Sequence, residues 1–170
     1  ATACLALADG TLFYGQGFGA TGETVAELVF NTAMTGYQEI MTDPSYASQV
    51  VTFTFPHIGN TGVTPEDDET ATPAAAGMVV KWDPTESSNW RATGELTDWL
   101  TRMGRIGMGG VDTRRLTRAI RQQGAPHARE TFCELVDARL FEFLVVDEDR
   151  AALAPGGNQR FGQKQQPDAV

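Results

Sequence analysis

Val50-Val51-Thr52-Phe53-Thr54-Phe55 is the stretch whose reading decides the fold class. It is β-branched and aromatic throughout, and Pro56 closes it, so it reads as the strongest strand in the chain. Upstream, 25–32 contains Leu28-Val29-Phe30, a run of buried-strand type; downstream, Gly77-Met78-Val79-Val80 is another. At the start of the chain, two strand-like runs flank Asp9-Gly10, the short-range signal of a β-hairpin. Residues 36–42 suit a helical turn that Asp43-Pro44-Ser45 ends, because a residue before proline avoids the α region. Thr93 is placed to cap a helix over 94–103, with Leu96, Trp99, Leu100 and Met103 on one face and Gly104 as its stop. After a glycine-rich strand at 106–111, Asp112 caps a helix reaching Gln123, with Gly124 at its end and Leu116, Ala119 and Ile120 sharing a face.

The pattern predicts a mixed α/β (α+β) domain. Its mixed sheet is built from segments near 3–8, 11–18, 27–32, 49–55, 77–81 and 106–111, with the two main helices covering one face. Residues 61–76 are acidic and then rich in Ala, Thr and Pro, as in an exposed loop or short helix. Residues 132–146 suit either a helix or a strand, and 154–170 read as a disordered tail.

The chain has 170 residues, 41% of them hydrophobic and 21% charged, which fits one globular domain rather than a disordered chain. No apolar run reaches eighteen residues, and no basic segment opens the chain, so neither a membrane helix nor a signal peptide is expected. The net charge is −9, unevenly spread: residues 1–80 hold nine acids and no Lys or Arg, whereas 81–170 balance thirteen of each sign. Such a chain is a poor ligand for nucleic acid or anionic membrane and suits a partner with a basic face. Two isolated cysteines, Cys4 and Cys133, fit a reducing, cytoplasmic compartment.

Several patterns touch on chemistry. Gly17-Phe18-Gly19-Ala20-Thr21-Gly22 matches G-x-G-x-x-G, but it follows the second arm of a hairpin rather than opening a βαβ unit, so it reads as a strand end and turn. No lysine follows these glycines, which excludes a P-loop. A Cys–His pair would draw on Cys4, Cys133, His57 and His127; Cys4 lies mid-strand, Cys133 lacks a glycine elbow, and His57 suits a turn histidine that holds backbone by hydrogen bonds. Glu66-Asp67-Asp68-Glu69 are adjacent and do not converge on a cation, so they read as a solvated loop. The arginines of 112–123 are placed for phosphate, yet suit a solvated or subunit-facing surface better. No catalytic or metal-ligating set emerges.

Longer motifs carry more information. Phe30-Asn31-Thr32-Ala33-Met34-Thr35-Gly36-Tyr37-Gln38-Glu39-Ile40, Thr42-Asp43-Pro44-Ser45-Tyr46 and Pro56-His57-Ile58-Gly59-Asn60 resemble the N-terminal domain of the small chain of glutamine-hydrolysing carbamoyl-phosphate synthase. Gly19-Ala20-Thr21-Gly22, Ser88-Asn89-Trp90-Arg91, Asp112-Thr113-Arg114 and Leu116-Thr117-Arg118 continue the match in order, from about Leu5 to Pro126.

The resemblance implies a β/β/α swivelling-type domain over 1–126, followed by a divergent extension over 127–153 and the tail. It implies a protein that supplies ammonia from glutamine to a large synthetase chain for carbamoyl phosphate synthesis, in arginine and pyrimidine formation. The domain's partner would be that large chain, to which ATP and magnesium belong; no cofactor is expected here. Ser45 would be the residue reaching the glutamine site, since a hydroxyl on a proline-fixed turn donates or accepts at low entropic cost. The amidotransferase domain, with its G-x-C-x-G elbow and Cys–His–Glu triad, is not expected within these residues. The 170-residue chain is thus expected to be non-catalytic alone. The alternative is a free-standing interaction module without the enzymatic context.

Overall fold

A computed structural model describes residues 1–7 and 11–122, together with the backbone of 140–145. Seven strands and three helices are assigned among them: β1 (Ala3–Ala6), β2 (Leu12–Gly19), β3 (Glu23–Asn31), α1 (Tyr37–Thr42), β4 (Gln49–Phe53), β5 (Gly77–Val79), α2 (Leu96–Arg102), β6 (Ile106–Gly109), α3 (Thr113–Gln122) and β7 (Leu140–Val145). The class is mixed α/β, as the periodicity predicts. β1 and β2 form the expected antiparallel hairpin in the register Ala3↔Gly15 to Ala6↔Leu12; its Asp-Gly turn lies outside the described residues. Strands β3, β4, β5 and β6 run parallel to one another, β2 pairs antiparallel with β6, and β7 pairs antiparallel with both β3 and β1, closing the curled sheet. In 132–146 the described part is strand. The tail expected to be disordered, the expected helix end at Gly124, His127 and Cys133 lie outside the described residues.

Alternation along β4 explains the layering. Val50 faces a core formed by Leu5, Phe13, Leu28, Val79, Ile106, Met108 and Leu116, whereas Val51 and Phe53 face a second core of Tyr37, Met41, Ile58, Met78, Leu96, Trp99 and Leu100. Both faces of this central strand are therefore apolar and both need cover. This corrects the expectation that the two main helices share one face. α3 joins the first core through Leu116, with Ala119 and Ile120 packed against it; α2, together with α1, covers the second.

The helix ends follow local chemistry with one exception. Asp112 Oδ1 accepts the Arg115 N–H at 3.0 Å, capping α3 as its position predicts. Gly104, at φ +64°, ends α2, with Gly104 N–H donating to Thr101 O and Arg105 N–H to Leu100 O, the paired bonds of a glycine-terminated helix. Thr93 is not the cap of α2. That position is Glu95, and Thr93 Oγ1 instead donates to Val63 O at 3.1 Å while Gly94 bridges Val63. A pairing with a segment thirty residues away outcompetes the local cap.

Candidate functional site

Ser45 sits in the connection between α1 and β4. α1 starts at Gly36, whose φ of +78° lies in the left-handed region, and ends at Asp43, whose extended backbone (ψ 123°) is the conformation a following proline demands. Pro44 then opens a single 3-10 turn over Pro44–Tyr46. The Asp43 carboxylate accepts the Ser45 N–H at 2.8 Å. That bond, and behind it the Ser45 side chain, hold the Asp43 carboxyl below the usual carboxylate range, so the anchor is charged at neutral pH. The turn is tied down further along. The Tyr46 hydroxyl accepts from Asn31 Nδ2 at 3.0 Å, and Ser48, at φ +59°, donates its N–H to Ala74 O. Ser45 is therefore solvent-exposed on a backbone fixed at both sides.

A second convergence joins motifs far apart in sequence. Residues 56–62 and 84–92 pack on each other: Thr85 N–H donates to Ile58 O and Ser88 N–H to Asn60 O. Gly59 is at φ +104°, and a Cβ there would stand 2.8 Å from Thr85 O, so this contact requires glycine. Ser87 donates both its N–H and its hydroxyl to the Glu95 carboxylate, at 2.9 and 2.6 Å. Arg91 reaches Glu66 at 3.2 Å and Asp67 at 2.9 Å. Between these anchors Trp90 stands 91% exposed. An indole held out on a loop tied down on either side has an apolar area available for contact.

The acidic run is less free than a solvated loop. Besides the Arg91 pairs, Asp68 accepts from Gln38 Nε2 at 2.6 Å; within 61–76 there is a single 3-10 turn, Pro65–Asp67, and several residues are exposed, but Val63, Thr64 and Ala75 are buried, so the loop is exposed only in part. Tyr37 and Gln38 make that segment part of the core. The Tyr37 hydroxyl donates to Gly62 O, and Gln38 donates to Thr64 O and accepts the Thr64 N–H.

The remaining candidates fall apart. Burial pushes the Cys4 thiol up, away from the thiolate a nucleophile needs. His57 does not bond the described backbone; it is exposed, its ring edge-on to Phe55 with centroids 6.2 Å apart. The G-x-G-x-x-G stretch is the end of β2 and the turn into β3, with no helix after it. Sequence reasoning missed the exposure of Trp90 and the structural role of Gln38. The signals were present, as a tryptophan in a polar loop and a glutamine in a helix with buried neighbours.

Comparison with known proteins bears on the geometry just described. The family model for the carbamoyl-phosphate synthase small chain, CPSase domain, matches residues 5–129. The chain belongs to this family. The carbamoyl phosphate synthase small chain of Ruegeria pomeroyi is 83% identical over 126 residues, covering 74% of this chain and 32% of the relative. That of Thioalkalivibrio sulfidiphilus is 60% identical over 123 residues, covering 72% and 32%. That of Pseudomonas aeruginosa is 58% identical over 149 residues, covering 88% and 38%. The chain thus spans about a third of the length of these curated relatives. In this chain the turn carrying Ser45 and the loop carrying Trp90 face solvent between hydrogen-bonded anchors. Among the described residues no helix is long and apolar enough to cross a membrane.

Proposed function

We propose that this domain docks on the large chain of carbamoyl-phosphate synthase and lends Ser45 to the glutamine site of the complete small chain. In that assembly the small chain releases ammonia from glutamine, and the large chain, which handles ATP and magnesium, converts it to carbamoyl phosphate for arginine and pyrimidine synthesis. The domain itself performs no bond cleavage. The observation that carries the docking reading is Trp90, 91% exposed on a loop braced by Arg91 and Ser87. Large rigid aromatics of this kind anchor interfaces, and burying one commonly contributes 2 kcal/mol or more.

The test is association with the Ruegeria pomeroyi large chain, the counterpart of the 83% identical small chain. The present chain is expected to bind it. Trp90→Ala is expected to weaken the complex by about 2 kcal/mol, roughly thirtyfold in Kd, with unchanged melting. No association with the unaltered chain would sink the docking reading.

The Ser45 assignment has its own test, in a full-length small chain carrying this domain. Ser45→Ala is expected to cost about 1 kcal/mol of glutamine binding, roughly fivefold in KM, because one hydrogen bond to a polar ligand group is lost. Synthesis from added ammonia should be unaffected, since ammonia bypasses the glutamine pocket. An equal loss with both nitrogen sources would make Ser45 a turn residue only.

A further inference from the structure

An open groove of about 530 Å³ lies where the carboxyl ends of β3, β4 and β5 meet α3. Lys81, just after β5, and Arg114, Arg118 and Arg121 of α3 line it, with the hydroxyl-bearing Thr32 and Thr54 at the strand ends. The three arginines fall at i, i+4 and i+7, which puts them on one side of the helix and makes them repel one another. All four cations are exposed, and none makes an ion pair with a described carboxylate. Asp112 supplies the one carboxylate among the described lining residues, and its Oδ1 already caps α3. Arg121 is held over the Phe30 ring at 4.9 Å, and Lys81 over Trp82 at 5.3 Å, so both charges are oriented by aromatic faces.

We infer that this groove receives an acidic segment of the large chain, its Asp and Glu carboxylates meeting the forks of Arg114 and Arg118. The inference rests on the docking reading and adds a second contact face to it. Among the described lining residues four cations face one carboxylate whose Oδ1 already caps α3, and carboxylates of a partner segment would complement that local excess of positive charge. Arginine forks match carboxylates in paired hydrogen bonds. Trp82, 53% exposed beside Lys81, gives the rim the aromatic and arginine composition of an interface centre, and the chain from Trp82 to Trp90 joins it to the docking loop. Exposed cations lining an open groove suit an extended segment better than a small anion, which requires buried, converging donors. Residues 1–80 carry nine acids and no Lys or Arg, which disfavours the long polyanion of a nucleic acid more than a short acidic segment confined to the groove.

The experiment measures Kd between this chain and the Ruegeria pomeroyi large chain at 50 and 300 mM salt, for the unaltered chain, the double variant Arg114→Glu with Arg118→Glu, and Trp90→Ala. The expected result is that salt weakens the unaltered complex at least tenfold. Charge reversal should weaken it at least tenfold at low salt and flatten the salt response, while Trp90→Ala keeps that response. Melting curves should be unchanged, because both arginines are exposed. Binding that is salt-insensitive, or unaltered by charge reversal, overturns the groove assignment and leaves docking through Trp90 standing. Failure of the unaltered chain to bind overturns both. Inorganic phosphate that binds the isolated chain saturably, and displaces the large chain at constant ionic strength, would make this a small-anion site and overturn the inference. Should the double variant unfold, the salt response of the unaltered chain decides.

Discussion

Trp99→Ala is expected to destabilise the chain by about 3–5 kcal/mol, the range for truncating a fully buried large aromatic. Trp99 is 2% exposed and is the largest side chain in the core that α2 closes over the sheet, packed among Tyr37, Met41, Ile58, Met78, Leu96 and Leu100. Truncation there opens a cavity between a helix and a strand that are both built from short elements with little freedom to collapse inward. The loss is a large share of the roughly 5–15 kcal/mol that holds a domain together. Trp99→Phe should behave differently. Trp99 Nε1 is buried and finds no hydrogen-bond partner among the described residues. Phenylalanine discards that orphaned donor and keeps most of the apolar volume, so its cost should be no more than about half that of alanine. Urea unfolding of the three proteins measures this. Equal damage from Phe and Ala would mean that the indole N–H contributes a bond in solution.

The second large effect is expected at Gln38, which is 2% exposed. Its amide spends every group: Nε2 donates to Thr64 O at 2.8 Å and to Asp68 Oδ1 at 2.6 Å, and Oε1 accepts the Thr64 N–H at 2.9 Å. Gln38→Leu keeps the approximate volume but strands the N–H and C=O of Thr64, itself 7% exposed. Each buried polar group left unpaired costs about 1–3 kcal/mol, which puts the total for the two at about 2–6 kcal/mol. The loss should show locally as well. Amide exchange at Thr64 should accelerate by more than that of β4, because the bonds lost include the Thr64 N–H bond and are among those that tie the 61–69 segment to α1. Wild-type protection at Thr64 in the leucine variant would show that another group satisfies this backbone. The proposed docking loop would feel the change too, since Glu66 and Asp67 in that segment brace Arg91 beside Trp90.

Much of this architecture is legible from short-range chemistry. β-Branched runs, Asp112 as a cap, Gly104 as a stop and Asp43-Pro44 as a helix terminator act over four residues or fewer, and each appears where local sterics and hydrogen bonding require. The apolar stripe of α2, Leu96, Trp99 and Leu100, is likewise written in a 3.6-residue period, and all three are buried. The motifs that mark the family are also plain in the chain, and they lie within the matched residues 5–129.

What the sequence determined by itself, then, are six of the seven described strands, the helix ends at Asp43, Gly104 and Asp112, the mixed α/β class and the family, because these depend on neighbouring side chains and backbone alone. The tertiary structure decided which face each helix covers, and it did so because Val50 and Val51 both carry apolar side chains on opposite sides of β4. It took Thr93 from the cap of α2 and gave it to Val63, a pairing thirty residues apart that no local propensity encodes. It drew Gln38 into the core, left His57 without the expected backbone bonds, held Trp90 out in solvent, and gathered Lys81 with three arginines of α3 around one groove. Each of these outcomes is a competition between partners distant in the chain. Burial and exposure are settled only when the whole sheet has closed and every apolar face has been assigned a neighbour.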